Sequence, residues 1–492
     1  MPFQYLANRL ASVKQPGGPL PGASRRLGAA SVDVPGSTAG TLRPAFLVAQ
    51  DWAMSWKEVL LVGFTVIGAS LMTIDAVNAR AGAAILLVEC FFSMASPLAA
   101  LTALITSQCV MDPPGWPITA TQTLCIACSI QVMLAPSKST WPGIKSILYL
   151  WLPGVLYIYA LDFVKYGTVA LHIYLALSLI IGLIASYYIG RIHNRFHLAL
   201  FCMALGFMPL IVGFVLHGTN IDVQGYTASE SERGEEGFGA GRGDINYAGA
   251  MLALMTWVMI ALALSDGIRR APWRTRAGVT GIAFLSAFLA LPACIGAMSR
   301  GGFVAYVMGF ITLFAFSLKK RRTLYRLVGI ILILAIVVFS SGLQRGLGTR
   351  LEALRFFTQK QADMSILTSR NDVWTTAFEA IRQNPLIGPI EENPMNRDYQ
   401  IFCAHNVWLD FGMMAGVPGM LWFSCLFFWP IYRLIKARPG DDLASYFVGY
   451  AILFCLFLSL SAVNYKPFWL FWVLCLAVSE SARLSATRKR AG

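Results

Sequence analysis

The chain is short of charge: 13% of its 492 residues are Asp, Glu, Lys or Arg, against about 25% in a soluble domain. Apolar residues make up 57% of it and the mean hydropathy is +0.61, so water is not its main solvent. Acid is the scarcer sign, with 25 Asp and Glu against 39 Lys and Arg, and there are only 5 histidines. The resulting surplus of +14 falls in short clusters between apolar runs, which is a topology signal and not a nucleic-acid surface. No apolar core follows the early basic residues, which excludes a cleaved signal peptide. Residues 1–50, rich in Gly, Pro, Ala and Ser, are expected to be a disordered cytoplasmic tail. Short alternating strands are missing too, which excludes a membrane β-barrel. The 10 cysteines are scattered. Cys125 and Cys128 form a C-x-x-C inside an apolar stretch, where packing is expected rather than redox or metal chemistry. Cys109 and Cys403 are the only two expected near the outer face.

What is present is a succession of long apolar runs, and lipid leaves helices as the way to satisfy their backbone. The expected fold is all-α, a polytopic transmembrane helical bundle of about 12 spans with a large periplasmic loop containing short helices. The expected organisation is a tail (1–50), N-terminal transmembrane helices (51–216), central helices with a Gly-rich outer loop (217–341), the large periplasmic loop (342–404), C-terminal helices (405–483) and a basic cytoplasmic tail (484–492). Orientation follows from clusters at Arg191 and Arg195, Arg269 to Arg276, Lys319 to Arg322, and Arg433 to Arg438. With these in the cytoplasm, residues 217–244, the Ser299–Gly302 turn and residues 342–404 lie outside. The early part fits less well. Thirteen runs with a cytoplasmic C-terminus would put the basic N-terminal tail outside, so one early run is expected to be re-entrant, interfacial or misdrawn, leaving twelve spans.

Three stretches on the outer side carry chemistry. In Ser299-Arg300-Gly301-Gly302, an arginine ends a span, where it either snorkels or lines a cavity and binds phosphate. In the second stretch, Ser369-Arg370-Asn371-Asp372-Val373-Trp374 runs on to Asn384-Pro385-Leu386-Ile387-Gly388. Ser369 or Asn371 is a candidate cap, Asn384-Pro385 a stop, and Arg370 a cation at a helix start that a bound anion would compensate. Trp374, Phe378 and Ile381 are spaced for one face of that helix, and Leu351–Phe357 is a second short helix. The third stretch, His405-Asn406-Val407-Trp408-Leu409-Asp410, opens the next apolar run at 405–430. His405 is either a packed interfacial histidine or a proton acceptor near neutral pH. Glu391 and Glu392 read as solvated, and no outer carboxylate pair has metal-ligand spacing.

These stretches, in this order, resemble the signature of the O-antigen ligase and polymerase superfamily. The motifs are SRGG at 299–302, SRNDVW…NPLIG at 369–388 and HNVWLDFGMMAGVPGML at 405–421, with Asp244 to Ala248 similar to that family's N-x-x-A helix start. The resemblance covers about residues 217–430. It implies a bacterial inner-membrane glycosyltransferase working at the periplasmic face, and the lack of an outer carboxylate pair at ligand spacing makes the expected enzyme metal-independent, with no cofactor. The donor would be an undecaprenyl-diphosphate-linked glycan, and the acceptor lipid A-core (ligase) or another lipid-linked glycan (polymerase). His405 would be the base and Arg300 and Arg370 the diphosphate ligands, with Arg242 a third. Ser299, Asn406 and Trp374 would support them. The motif set and long outer loop look like the ligase pattern, with the polymerase as the alternative. A transporter or flippase is the reading from another class, but no internal repeat appears and Glu89 is the main buried carboxylate expected. An assembly scaffold has no specific feature in its favour. The orientation is testable by thiol labelling of intact cells. Ser231→Cys is expected to react with a membrane-impermeant maleimide and Arg322→Cys is not, and the reverse pattern would invert the topology.

Overall fold

The computed structural model describes residues 52–73, 79–109, 119–135, 144–167, 173–192, 195–217, 245–296, 300–340, 364–390, 406–437, 443–459 and 466–491. All lie in the compact unit Pro44–Gly492. The expected tail at 1–50, most of the Gly-rich loop, the 351–357 helix and the last of the basic tail's residues, Gly492, fall outside them. The regular structure among the described residues is helical, with no strand. In chain order it comprises α1 (Trp56–Leu71), α2 (Ala79–Ala95), α3 (Pro97–Thr106), α4 (Ala120–Leu134) and α5 (Ile144–Tyr166, with a π-helical turn at Ile147–Trp151). Next come α6 (Ile173–Arg191), α7 (Phe196–Leu205), α8 (Met208–His217), α9 (Ile245–Leu264), α10 (Asp266–Arg270) and α11 (Trp273–Gly296). The remainder are α12 (Arg300–Leu318), α13 (Arg321–Ser340), α14 (Met364–Gln383), α15 (Val407–Ala437), α16 (Ala444–Ser459) and α17 (Lys466–Ala491). Among the described residues five helical segments are long and apolar enough to cross a membrane: 144–166, 174–191, 196–213, 301–318 and 407–436.

The apolar run 82–106 is two helices. Ser96 is extended (φ −146°, ψ 129°), its hydroxyl accepts the Ala99 N–H at 3.4 Å, and Pro97 starts α3. The chain turns back there, as named contacts show. Phe64 meets Phe92 at 6.2 Å between centroids, and Gly68 lies against Ile85 and Glu89, so α1 and α2 are antiparallel. Thr102 donates to Cys202 O at 3.3 Å and Ile105 abuts Gly206, so α3 runs alongside α7 in the same direction. Gln131 donates to Met94 O at 2.6 Å and Tyr187 to Ala135 O at 2.7 Å, so α2, α4 and α6 all end on the side of Arg191.

Ser55 and Glu58 cap α1 reciprocally, and Arg195 holds the Glu58 carboxylate at 2.8 Å, which fixes the start of α1 on that same side. The parity problem of the early runs is thereby resolved by splitting a run, and the residues entering α1 share a face with Arg195. The other basic clusters join this face. His197 packs against Tyr446 at 5.7 Å near the start of α16, and Gly309 is wedged between Trp257 and Ile452 at the middles of α9, α12 and α16. Asp266 binds Lys320 at 2.5 Å and Arg269 at 3.0 Å. Burial pushes its carboxyl up, but the Lys320 hydrogen bond and the flanking cations outweigh that and leave it below the usual range. This link therefore persists through neutral pH and is lost only as pH falls through that lowered value.

Cys125 and Cys128 are buried free thiols, as is Cys109, while Cys403 lies outside the described residues. Helix packing around the future site uses small residues. A Cβ at Gly154 would collide with the indole of Trp422, whereas one at Gly63 would meet nothing within 4 Å. Gly154→Leu is therefore expected to cost about 1–3 kcal/mol by overpacking. A lowered thermal midpoint in detergent checks this, and Gly63→Leu is expected to leave the midpoint unchanged.

Candidate functional site

The run expected as one span at 405–430 is instead a helical hairpin. Trp408 Nε1 donates to Ser424 Oγ at 3.0 Å across 16 residues, which a straight helix would hold about 24 Å apart. Trp408 also packs on Phe423 and Phe427 at 5.2 and 5.5 Å, and Phe411 stacks on Phe423 at 4.8 Å. A short arm (407–414) thus lies back along a long arm (417–437). The reversal is at Ala415 (φ −143°, ψ 22°) and Gly416 (φ 64°, ψ −159°). Gly416 supplies the left-handed conformation, and Gly419 lets the arms touch, since a Cβ there would strike Phe411 O. Pro418 sits in the first turn of the long arm, where its missing N–H costs nothing. That arm has about 31 Å of rise, enough to cross a bilayer core of about 30 Å.

The Asn384–Ile390 segment fills the reversal. As the sequence predicts, Asn384-Pro385 ends α14. Pro385 O then accepts the Val417 N–H at 2.7 Å, satisfying an orphan donor of the long arm. Gly388 has φ 74°, and a Cβ there would lie 2.5 Å from Met413 O and 2.9 Å from Gly412 O. Three side chains from other helices hold the same place. Lys165 Nζ donates to Met414 O at 3.0 Å and Pro389 O at 3.3 Å, and Tyr157 donates to Leu386 O at 2.7 Å. Tyr174 meets Met414 Sδ at 3.6 Å. Since α6 begins at Ile173 and ends on the basic face, the hairpin tip lies towards the opposite face.

From that tip the short arm descends. Its first-turn Trp408 also touches Phe454, mid-helix in α16, at 5.6 Å. Asn406, 8% exposed, caps the arm, its Oδ1 accepting the N–H groups of Trp408 at 3.0 Å and Leu409 at 3.3 Å. Asn406 therefore stands at the lower end of the arm, about 12 Å below the tip. His405 itself lies outside the described residues, as do Ser299 and Arg242.

α14 packs against the short arm through a small cluster of Ala377, Ile381, Leu409 and Met413, flanked by Val373, Trp374, Ala380 and Met420. Trp374 is thus a packing residue of this contact. The expected apolar face is corrected at Phe378, which is 55% exposed while Ile381 is 4% exposed. The expected helix start at 369–371 is also corrected. α14 begins at Met364, so Ser369 and Asn371 are interior positions rather than caps, and the argument from a cation at a helix start no longer applies to Arg370. Position 370 lies within α14, about one turn before Trp374. Position 300 opens α12, whose other end is beside Lys320, so it lies towards the face of the tip. The side chains of Arg300 and Arg370 are outside the described set.

Sequence reasoning missed residues that build the site. Lys165, Tyr157 and Tyr174 act across more than 220 positions of sequence, and no local pattern marks them. Glu89 is buried as expected at 2%, but Asp162 and Asp410 are each 1% exposed. Asp410, four residues beyond Asn406, was legible as part of the HN motif.

Gly167 (φ 67°) and Gly388 (φ 74°) separate conformation from contact, because only the second has atoms where a Cβ would go. Gly167→Ala is expected to cost about 1–2 kcal/mol for the left-handed backbone alone. Gly388→Ala is expected to lower the thermal midpoint clearly further. Equal effects would mean that the loop is not seated in the hairpin.

Residues 285–424 match the family described as O-antigen ligase, and no curated protein matches the chain. The matched segment runs from α11 through α14 and the Asn384–Gly388 turn, and it ends at Ser424, the residue that Trp408 reaches across the hairpin. Over this segment the chain is similar to the O-antigen ligase family.

Proposed function

We propose that this protein is a metal-independent glycosyltransferase of the inner membrane. It transfers a glycan from undecaprenyl diphosphate to an acceptor hydroxyl at the periplasmic face, and lipid A-core is the acceptor in an O-antigen ligase-like reaction. The observation that carries this reading is the hairpin within the matched segment. It holds Asn406, the residue after His405 in sequence, at the lower end of a short arm against α14. Arg300 opens α12, and Arg370 lies within α14, the helix that packs on the short arm.

In the proposed reaction His405 takes the proton from the acceptor hydroxyl as its oxygen bonds to the anomeric carbon. The bond from that carbon to the diphosphate breaks, and undecaprenyl diphosphate leaves. Arg300 and Arg370, with Arg242 from the loop before α9, offset the charge on the leaving diphosphate. Ser299, Asn406 and Trp374 hold these groups in place. A donor whose tail stays in lipid and whose diphosphate lies at the interface suits a site sunk below the tip of a hairpin. The same motifs serve a polymerase, whose acceptor is another lipid-linked glycan.

The test is a deletion strain complemented with wild type or His405→Ala, with surface glycans and lipid-linked intermediates profiled. The variant is expected to insert normally and to behave as the deletion. Long polymer stranded on the polyprenyl carrier identifies a ligase, and single repeat units identify a polymerase. Normal glycans with His405→Ala would sink the base assignment and favour transport.

A further inference from the structure

The short arm is only eight residues long (407–414), roughly two turns, which is too little helix to persist without external support. Its lower end has the Asn406 cap. Its upper end carries the orphan carbonyls of a helix C-terminus, and these need donors or a cation. Lys165 supplies both. Its ammonium donates to Met414 O at 3.0 Å, in the arm's last residue, and to Pro389 O at 3.3 Å, in the segment seated in the reversal.

The placement is not that of an ordinary interfacial lysine. At the end of a span such a side chain usually extends towards water with its stem along the apolar surface. Here the preceding Phe163 and Val164 are 63% and 80% exposed, while Lys165 is turned in upon backbone carbonyls. A charged donor shared by two carbonyls makes a stronger contact than a neutral one. Its position at the arm's C-terminus also complements the helix dipole. Tyr157 donates to the same loop at Leu386 O, which belongs to the loop and not to the arm.

We propose that Lys165 is a positioning residue for glycosyl transfer. It pins the upper end of the short arm to the 384–390 segment and so fixes the height of the other end, where Asn406 follows His405 in sequence. This rests on the reaction proposed above, and it adds a residue from α5, outside the matched segment 285–424. Lys165 touches no reacting atom and acts through the arm.

The experiment uses the full chain in lipid nanodiscs, as wild type, Lys165→Met, Lys165→Arg and Tyr157→Phe. Amide hydrogen exchange across 407–414 and 444–459 reads the arm against a spanning helix. Single-turnover and steady-state transfer from a polyprenyl-diphosphate glycan read its consequence. Lys165→Met is expected to speed exchange in 407–414 by about tenfold or more and to leave 444–459 unchanged. Its kcat is expected to fall by about tenfold or more, with donor KM within about twofold, since misplacement of a reacting group costs rate rather than binding. Lys165→Arg, which can still donate to both carbonyls, is expected to retain both properties, and Tyr157→Phe to leave the arm protected. Unchanged exchange in Lys165→Met overturns the clamp. A loosened arm with wild-type kcat overturns its bearing on transfer, as does an equal loss of folded protein and kcat in both lysine variants. None of these results depends on the identity of the base, which His405→Ala tests separately.

Discussion

A helix that breaks inside an apolar environment must find partners for the N–H and C=O groups it frees, because lipid offers none. In this protein that requirement falls at Ala415–Gly416, and much of the site follows from how it is met. The Val417 N–H goes to Pro385 O, and Met414 O goes to Lys165. The partners are themselves irregular, since Gly388 adopts φ 74° against the carbonyls of Gly412 and Met413. The break and the turn after α14 therefore need each other. Either one alone would leave unpaired backbone.

The fold-back decides where the Asn406 end of the short arm lies. A straight helix from Val407 to Ala437 would put Asn406 at one end of a span, whereas the hairpin lays the first turn of the short arm against the middle of the long arm. Aromatic packing fixes that position. Trp408 meets Phe423, Phe427 and Phe454, and Phe427 stacks on Phe468 of α17 at 5.6 Å and 9°. Buried indoles of the same region are anchored to backbone, Trp422 to Leu150 O at 2.5 Å and Trp472 to Leu426 O at 2.6 Å. Each such bond offsets the cost of burying an N–H. The long arm, α5 and α17 form one braced frame on which the short arm rests, and Trp151 stacked on Trp469 at 3.9 Å joins α5 to α17 directly.

The opposite face has a different logic. Its basic clusters follow from topology, and a few acids draw them together: Glu58 holds Arg195, and Asp266 holds Lys320 and Arg269. These pairs are partly exposed, so their contribution is modest. They do, however, show which helix ends share a face.

The helices, the basic clusters and the order SRG, NPLIG and HN were legible because they are local, resting on hydropathy over a run, on charge at its ends and on motif spacing. Stops at Ser96-Pro97 and Asn384-Pro385 are local too, and Ser96-Pro97 shows how a stop inside an apolar run is overlooked when hydropathy alone is counted. Hydropathy has no direction. It reads 82–106 and 405–430 as apolar without registering that the chain reverses within each, although Gly416 and Pro418 stand in the second. The placement of α14, whose start the capping residues put too late, and the clamp from Lys165 were not legible. The Lys165 contact spans 249 positions, and nothing near Lys165 in sequence distinguishes it from a lysine that merely ends a span. By itself, then, the sequence determined a multi-pass helical membrane protein with a family signature, because lipid solvation acts residue by residue along the chain. Only the tertiary structure decided that the signature's last motif sits on a folded-back arm, because the partners that satisfy a broken helix come from elsewhere in the chain.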